Sequence, residues 1–148
     1  MVERYNWKSL SRLQLGRFAE YFVKMEFTLY GADIYTPEID DKGIDFIVRI
    51  GVNKYWEVQV KSLYKSSNFY VDKGKFDIRQ RNLLVALVRF ADGEPPAVYL
   101  LPAKLWEAPN KLFVGYDRKG YAEWGLQISK KNAPLLSPYA FHDIFGTL

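Results

Sequence analysis

The chain of 148 residues is long enough for one domain with a sizeable core, and its hydrophobic (49%) and aromatic (17%) contents exclude an intrinsically disordered chain. The absence of cysteine and the presence of a single histidine exclude disulfides, thiol catalysis, cysteine-based zinc sites and sites built from several histidines. The net charge is +4, no apolar run reaches the roughly 18 residues of a membrane span, and the first residues lack a signal-peptide hydrophobic region, so we expect a cytoplasmic protein with no membrane partner.

The first predicted element is a helix that begins after Ser9 or Ser11, either of which can cap it, and ends at Gly31. Its apolar residues recur at intervals of three and four, the spacing of a helix that packs against a core, and they are Leu15, Phe18, Phe22, Met25 and Leu29. Glu20 lies roughly opposite this stripe. Periodicity alone favours a surface position in which Glu20 pairs with Lys24, four residues later, a weakly stabilising contact.

A predicted β-hairpin is the most informative part of the sequence. Two runs rich in β-branched and aromatic residues, Ile44–Ile50 and Lys54–Lys61, flank a three-residue loop. With a loop of this length, Asp45 lies opposite Gln59, and the neighbours of Gln59 on the same face are Glu57 and Lys61. The apolar face is expected to carry Ile44, Phe46 and Val48 from the first strand and Trp56, Val58 and Val60 from the second.

The polar face of this hairpin has the groups of a metal site. A carboxylate beside an amide oxygen can bind a hard divalent cation such as Mg²⁺, which prefers oxygen ligands. A nearby lysine can orient an attacking water or stabilise charge that develops on a phosphate. The alternative interpretation is the solvated polar face of an ordinary amphipathic hairpin, although an unpaired aspartate within Gly-Ile-Asp-Phe-Ile-Val is harder to explain in that way.

The order and spacing of these residues resemble the PD-(D/E)xK nuclease superfamily. That pattern has an acid on one strand and acid-x-Lys, or Gln-x-Lys in some branches, on the next, and the matching residues are Asp45, Gln59 and Lys61. The upstream segment Leu15-Gly16-Arg17-Phe18-Ala19-Glu20 is similar to the first helix of the Holliday-junction-resolvase-like branch, whose helical glutamate joins the metal site. The acidic loop before Asp45 is assigned no role.

The resemblance implies an α/β fold with a restriction-endonuclease-like core: one domain over residues 1–148, with a mixed β-sheet and a long N-terminal helix packed on it. It implies metal-dependent hydrolysis of phosphodiester bonds in nucleic acid, in DNA more than in RNA, with Mg²⁺ or Mn²⁺ as the cofactor. The implied metal ligands are Asp45, Gln59 and Glu20, and Lys61 orients the attacking water or stabilises the transition state. By analogy with resolvase-like members, a homodimer is the expected assembly.

One departure from the superfamily pattern favours a different function. Gln59 stands where most members have Glu or Asp, and a neutral ligand lowers the negative charge of the site and its affinity for a cation. Glu57 lies on the same face and is a candidate auxiliary ligand. The alternative function is therefore a catalytically weak or inert nuclease-fold module that binds DNA or serves as an accessory protein in a phage-defence or mobile-element system. An RNA-directed nuclease would use the same residues.

A basic and aromatic segment overlaps the second strand of the hairpin and continues beyond it. Residues 54–81 hold seven Lys or Arg residues and three Asp or Glu residues, so their excess of positive charge equals that of the whole chain. This composition favours a nucleic-acid surface, while the solvated face of an ordinary basic protein is equally compatible with it. The candidate nucleic-acid-binding residues are Lys65, Lys73, Lys75, Arg79 and Arg81.

The remaining predicted elements are short. Residues 83–90 form a continuous apolar run typical of a buried strand, with a helix as the competing interpretation. One short helix is predicted over 102–107, with Trp106 packed inward, and another within 129–137. The other predicted strands are 32–36, 68–71, 97–101, 112–116 and 124–128.

Overall fold

The computed structural model describes residues 2–148, which form two β-sheets and one long helix. In chain order the helices and strands are α1 (Arg12–Leu29), β1 (Asp33–Tyr35), β2 (Phe46–Gly51), β3 (Lys54–Tyr64), β4 (Asn68–Asp72), β5 (Leu83–Phe90), β6 (Ala97–Pro102), β7 (Phe113–Arg118), β8 (Tyr121–Gln127) and α2 (Phe141–Phe145). Short 3₁₀ helices lie at Trp7–Ser9, Ala103–Glu107 and Ala133–Tyr139. No helix within residues 2–148 is long and apolar enough to cross a membrane.

The larger sheet has five strands in the order β1-β2-β3-β5-β6, and the smaller has three in the order β4-β8-β7. In the larger sheet β3 and β5 are parallel, whereas the other neighbouring pairs are antiparallel. The chain reaches β5 from β3 by way of β4, which belongs to the smaller sheet. The predicted α/β fold, a mixed sheet with a long N-terminal helix, is therefore confirmed.

The larger sheet is covered on both faces, and β5 shows why its sequence is apolar throughout. Alternate residues of β5 enter two different cores: Leu84, Ala86 and Val88 pack with α1 on one face. Leu83, Val85 and Leu87 pack under the smaller sheet and the 3₁₀ helix with Trp106 on the other face. A strand buried on both faces has no polar alternation, so the strand interpretation of residues 83–90 is confirmed and the helix interpretation is wrong.

The hairpin of β2 and β3 has the predicted register along most of its length. Phe46 is paired with Val58 and Ile47 with Glu57. An irregularity between Arg49 and Gly51 shifts the pairing near the loop, so that Gly51 rather than Ile50 lies opposite Lys54. Asn53 adopts a left-handed conformation (φ 54°), which asparagine tolerates better than most residues.

One apolar position next to this hairpin was predicted on the wrong face. Phe46 and Val48 are buried against α1, whereas Ile44 packs into the core under the smaller sheet. Gly43 has a positive φ of 75°, and the regular strand begins only at Phe46, so strand alternation does not extend back to Ile44. The chain therefore changes direction directly before Asp45.

Helix α1 buries a different stripe from the predicted one. Ser11, one of the two predicted caps, caps the helix in a reciprocal capping box with Gln14. The buried residues recur every fourth position and are Leu15, Ala19, Val23 and Phe27. Met25 and Leu29 are 58% and 77% exposed, so their predicted place in the core is wrong. Relative to the predicted orientation, the helix is rotated about its axis so that its buried face lies closer to Glu20. Glu20 follows Ala19 and lies at the margin of that face.

Candidate active site

The carboxylate of Asp45 is fixed where β2 and β3 separate. The backbone N–H of Asp45 donates to the Val58 carbonyl (2.9 Å), and its Oδ2 accepts a hydrogen bond from the backbone N–H of Val60 (2.6 Å). The side chain thereby acts as the next acceptor of the antiparallel ladder, at the point where β2 no longer supplies a backbone carbonyl. Strand β3 continues to Tyr64, so the backbone of its second half has no β2 partner on the side where Asp45 lies.

Glu20 faces Asp45 from helix α1. Its side chain is 24% exposed, and its Oε2 accepts from Arg17 Nη1 at 2.9 Å. The predicted surface pair with Lys24 is therefore replaced by a pair with Arg17. Burial raises the pKa of the Glu20 carboxyl, and the nearby charge of Asp45 raises it further. Two carboxylates, one from the helix and one from the hairpin, thus share the same small region.

Lys61 brings a positive charge to this region from β3. It is half-buried, and burial lowers the pKa of its ammonium while the charge of Asp45 opposes that change. Burial likewise raises the pKa of the Asp45 carboxyl, partly offset by the hydrogen bond from Val60. Asp45 therefore lies near two of the other predicted site residues, Glu20 and Lys61, and all three are partly desolvated.

Gln59 and Glu57 have different surroundings on β3. Gln59 lies beside the turn that precedes Asp45, since a Cβ added to Gly43 would lie 3.5 Å from Gln59 Nε2 and 3.6 Å from Lys75 Cβ. Glu57 accepts a hydrogen bond from Gln80 Nε2 and lines a cavity of about 380 Å³. The contacts of Glu57 are thus with Gln80 and the residues of that cavity rather than with Asp45.

Two further charged residues near Asp45 were missed by the sequence analysis as site residues. Asp40, in the loop to which no role was assigned, raises the pKa of the Asp45 carboxyl, whereas Lys24 on α1 lowers it. The Lys24 ammonium also lies 5.5 Å from the centre of the Phe46 ring. Lys24 lies one helical turn after Glu20 on the same side of α1. The prediction that Glu20 belongs to the site therefore implied that Lys24 lies beside it.

The donor set is compatible with a metal such as Mg²⁺ that is shared with a substrate. Within residues 2–148, no group of three or more His, Cys, Asp or Glu side chains is arranged to hold a metal ion. Mg²⁺ in proteins is commonly bound by one or two carboxylates together with water and substrate phosphates. Asp45 and Glu20 supply such carboxylates, and β3 offers neutral oxygen donors in Gln59 and in Val60, whose backbone N–H already contacts Asp45.

Most of the predicted nucleic-acid-binding residues form ion pairs within the protein. Four of the five approach a carboxylate: Lys65 with Asp92 (3.9 Å), Lys73 with Asp117 (3.2 Å), Arg79 with Asp77 (3.1 Å) and Arg81 with Glu107 (3.2 Å). Lys73 also lies 4.0 Å from the centre of a ring of Trp124. Within the described part of the chain, Lys75 alone of the five makes no such pair. Three of the four acids lie outside residues 54–81. The net charge counted within that segment is therefore larger than the positive charge that remains unpaired in the folded protein.

Comparison with protein-family models and with curated protein sequences gives no match. Among solved structures, a bacterial homing endonuclease is similar with a TM-score of 0.54 and 18% sequence identity, over 93% of this chain and 90% of that one. A Holliday junction resolvase from the archaeal hyperthermophile Archaeoglobus fulgidus is similar with a TM-score of 0.54 and 16% identity, over 81% of this chain and 88% of that one. Both have the restriction-endonuclease-like fold, which is therefore the fold of this chain.

Proposed function

We propose that the chain is a metal-dependent nuclease that hydrolyses phosphodiester bonds in DNA. The observation that supports this proposal is that the charge of Asp45 acts on both Glu20 and Lys61, and that all three side chains are partly buried. Burial disfavours all three charges, and such a cost is typical of functional sites, where charged groups serve the chemistry rather than stability. The similarity to two nucleases supports the same function at the level of the fold.

Asp45 and Glu20 would hold a Mg²⁺ or Mn²⁺ ion, with the Gln59 amide oxygen as a neutral third ligand. A bound ion would supply neutralisation of charge on the scissile phosphate and a lower pKa for the attacking water. The hydrogen bond from Val60 orients Asp45 by occupying Oδ2, which leaves Oδ1 for the ion. Because Gln59 is neutral, we expect weak binding in the absence of substrate.

Lys61 acts on the reacting groups. Water attacks the phosphorus, the bond to the leaving oxygen breaks, and the water's proton is released, so negative charge on the phosphate oxygens is greatest in the transition state. The Lys61 ammonium is half-buried two residues beyond Gln59 on the same face of β3. A partly desolvated ammonium stabilises that charge more strongly than an exposed one.

A cleavage assay tests the proposal. Supercoiled, linear, branched and single-stranded DNA, and RNA, are incubated with the protein in Mg²⁺, in Mn²⁺ and in EDTA. We expect metal-dependent cleavage of at least one DNA, and a loss of at least about 100-fold for Lys61→Ala. The matched control is Lys104→Ala, which removes an exposed lysine from the 3₁₀ helix at Ala103–Glu107 and should retain the wild-type rate.

Two results would contradict this proposal. Equal rates for Lys61→Ala and Lys104→Ala would exclude a catalytic role for Lys61. Loss of activity in Lys61→Ala that is matched by a loss of thermal stability would identify Lys61 as a structural residue. Because truncating a half-buried lysine relieves the cost of burying its charge, we expect the fold to be retained.

A second candidate function is a nuclease-fold module that binds DNA without cleaving it, in a defence or mobile-element system. The observations that favour it are the neutral Gln59 and, within residues 2–148, the lack of a three-carboxylate cluster. DNA binding without cleavage in either metal, across all the substrates above, would support the module and exclude the enzyme. Cleavage of RNA alone would identify an RNA-directed nuclease.

We also propose a homodimer, in line with the assembly expected by analogy. What supports it is an exposed apolar stripe on α1 formed by Leu13, Tyr21, Met25 and Leu29. Light scattering measures the mass directly, and Met25→Glu should convert a dimer that uses this stripe into a monomer. A monomeric wild type at working concentration would exclude the dimer.

A further inference from the structure

Two adjoining cavities meet at the turn between β3 and β4. One, of about 690 Å³, is lined by residues that include Tyr64, Lys65, Ser66, Arg89 and Asp92. The other, of about 610 Å³, is lined by residues that include Asn68, Lys111, Gln127 and Lys131. Ser67 lines both. The two cavities, joined by this shared residue, are here called the basic trough.

The basic trough has an excess of positive charge. Its lining includes four cationic side chains, Lys65, Arg89, Lys111 and Lys131, and one carboxylate, Asp92. Asp92 is engaged by the Tyr64 hydroxyl (2.8 Å) and Lys65 (3.9 Å). Within residues 2–148, Arg89, Lys111 and Lys131 have no carboxylate within 4.0 Å, in contrast to four of the five cations predicted from the sequence. Their charge is therefore available to a ligand.

The backbone beneath the two lysines is fixed by a buried amide. Asn132 is 9% exposed, and its Nδ2 donates to the carbonyls of Lys111 (3.3 Å) and Gln127 (2.8 Å). Its Oδ1 accepts from the Ser129 backbone N–H at 2.7 Å, which closes the turn that carries Lys131. Lys111 and Lys131, distant in sequence, are thereby held on one side of the basic trough in the absence of any ligand, which is the preorganisation expected of a binding surface.

The basic trough begins next to the proposed catalytic lysine. Leu63 follows Lys61 by two residues on the same face of β3, a distance of about 7 Å along a strand. Arg89 of β5 is paired with Leu63 in the parallel register, so it lies beside that position on the neighbouring strand. Along the strands Arg89 thus lies two residues beyond the level of Lys61, and Lys111 and Lys131 line the second cavity, which Ser67 shares with the first.

We propose that the basic trough binds the phosphate backbone of the nucleic-acid strand that continues beyond the cleavage site, with Arg89, Lys111 and Lys131 as its phosphate contacts. The proposal rests on the nuclease function proposed above. The chemistry of the lining favours phosphates: ammonium and guanidinium groups, serine hydroxyls and side-chain amides are the groups that contact nucleic-acid backbones. Contacts of this kind fix the position of the strand and carry no base specificity.

The test measures binding separately from cleavage. Fluorescence anisotropy with a labelled DNA is recorded at several salt concentrations in EDTA, in an Asp45→Asn background. The variant Arg89→Gln/Lys111→Gln/Lys131→Gln should bind at least about tenfold more weakly, and its log–log salt slope should fall by about 2 to 3 units, since each phosphate contact accounts for about 0.9 unit. The matched control, Arg79→Gln/Arg81→Gln, removes two cations that are already paired and should change the slope by less than about one unit.

Because Arg89 is half-buried, the variant Lys111→Gln/Lys131→Gln provides the same test at two exposed positions, with an expected fall in slope of about 2 units. An unchanged slope in this double variant, an effect no larger than that of the control, or a wild type that binds no nucleic acid would overturn the proposal. The two proposals fail separately. DNA binding that is weakened by the trough substitutions, without cleavage, would contradict the nuclease function alone. Cleavage by a protein whose DNA binding is unaffected by those substitutions would contradict the proposed role of the basic trough alone.

Discussion

Asp45 and Lys61 hold charges at positions where burial disfavours them. Burial raises the pKa of the Asp45 carboxyl and lowers that of the Lys61 ammonium, so each group is shifted toward its neutral form. Their mutual attraction offsets this cost only in part, because burial is the larger effect for both. Residues retained at a cost in stability are the ones to test for a functional role.

Asp45→Asn should therefore make the metal-free protein more stable at pH 7 while abolishing cleavage. The asparagine oxygen can still accept the hydrogen bond from Val60, so the main change is the loss of a buried charge. The neighbouring Glu20, whose pKa the Asp45 charge raises, is relieved at the same time. Thermal unfolding in EDTA should show a rise of a few degrees in melting temperature.

The gain from Asp45→Asn should depend on pH. Because the folded pKa is raised, the native state binds the Asp45 proton more tightly than the unfolded chain does. As pH rises from about 4, the ordinary carboxyl range, through the folded pKa, ionisation of Asp45 therefore lowers the free energy of unfolding. The difference between variant and wild type should shrink as pH is lowered toward about 4. A variant less stable than wild type throughout this range would show that the Asp45–Val60 hydrogen bond outweighs the cost of burial.

Gln59→Glu should tighten metal binding by adding a carboxylate of the same length near Asp45. We expect about a tenfold lower dissociation constant for Mg²⁺ or Mn²⁺ by calorimetry, equivalent to about 1.4 kcal/mol, and cleavage at lower metal concentration. If the wild type is an inert module, the same change is the one most suited to create cleavage. Asp45→Asn combined with Gln59→Glu is the control and should lose the gain. Unchanged affinity in the single variant would show that Asp45 and Gln59 are not ligands of one ion.

At the scale of a single element, helix α1 sets the position of Glu20. The periodicity of its large apolar residues predicted one buried stripe, but the small residue Ala19 is fully buried and lets the helix approach the sheet closely. Phe18 and Phe22 are only partly buried beside it. The rotation that buries Ala19 turns Glu20 toward Asp45, so the packing of one small residue contributes to the geometry of the site.

Ala19→Leu should therefore impair both stability and activity. Adding methyl groups to a close-packed core costs roughly 1–3 kcal/mol, and moving the helix away from the sheet withdraws Glu20 from Asp45. Denaturant unfolding and the cleavage assay measure the two effects. Arg12→Ala is the matched control, because Arg12 is exposed at the start of the same helix, and it should stay within about 0.5 kcal/mol of wild type. Equal stability of both variants would contradict the assigned rotation.

At the scale of the whole molecule, ion pairs between distant segments determine which positive charges can meet a polyanion. Arg81 and Glu107 are far apart in sequence and 3.2 Å apart in the structure. Such a pair offsets the charge that Arg81 would present to a phosphate. Lys75, Arg89, Lys111 and Lys131 are among the cations that have no carboxylate within 4.0 Å in the described residues, and they are left to interact with a ligand.

Glu107→Gln should consequently strengthen DNA binding. It releases Arg81 and removes a negative charge, so affinity at low salt should rise and the salt slope should steepen by up to about one unit. Arg81→Gln in the same assay should have a small effect in wild type and a larger one in the Glu107→Gln background. Anisotropy titrations of the four proteins form a double-mutant cycle. Equal effects of Arg81→Gln in both backgrounds would show that this ion pair does not limit binding.

The sequence by itself determined the features that depend on neighbouring residues. The register of β2 with β3, in which Phe46 is paired with Val58 and Ile47 with Glu57, follows from strand alternation and loop length, because a one-residue slip would exchange the two faces. The cap of α1 at Ser11 and the doubly buried strand β5 are likewise local patterns. The candidate residues Asp45, Gln59 and Lys61 could be named for the same reason.

Only the tertiary structure decided the features that depend on residues far apart in the chain. The rotation of α1 is chosen by how Ala19 fits the sheet, which helical periodicity cannot distinguish from a rival stripe of larger residues. The pairing of Arg81 with Glu107 and the placement of Lys111 and Lys131 in one cavity join residues that are distant in the sequence. Charge along a sequence adds residue by residue, whereas the field that a ligand meets depends on which charges folding brings together.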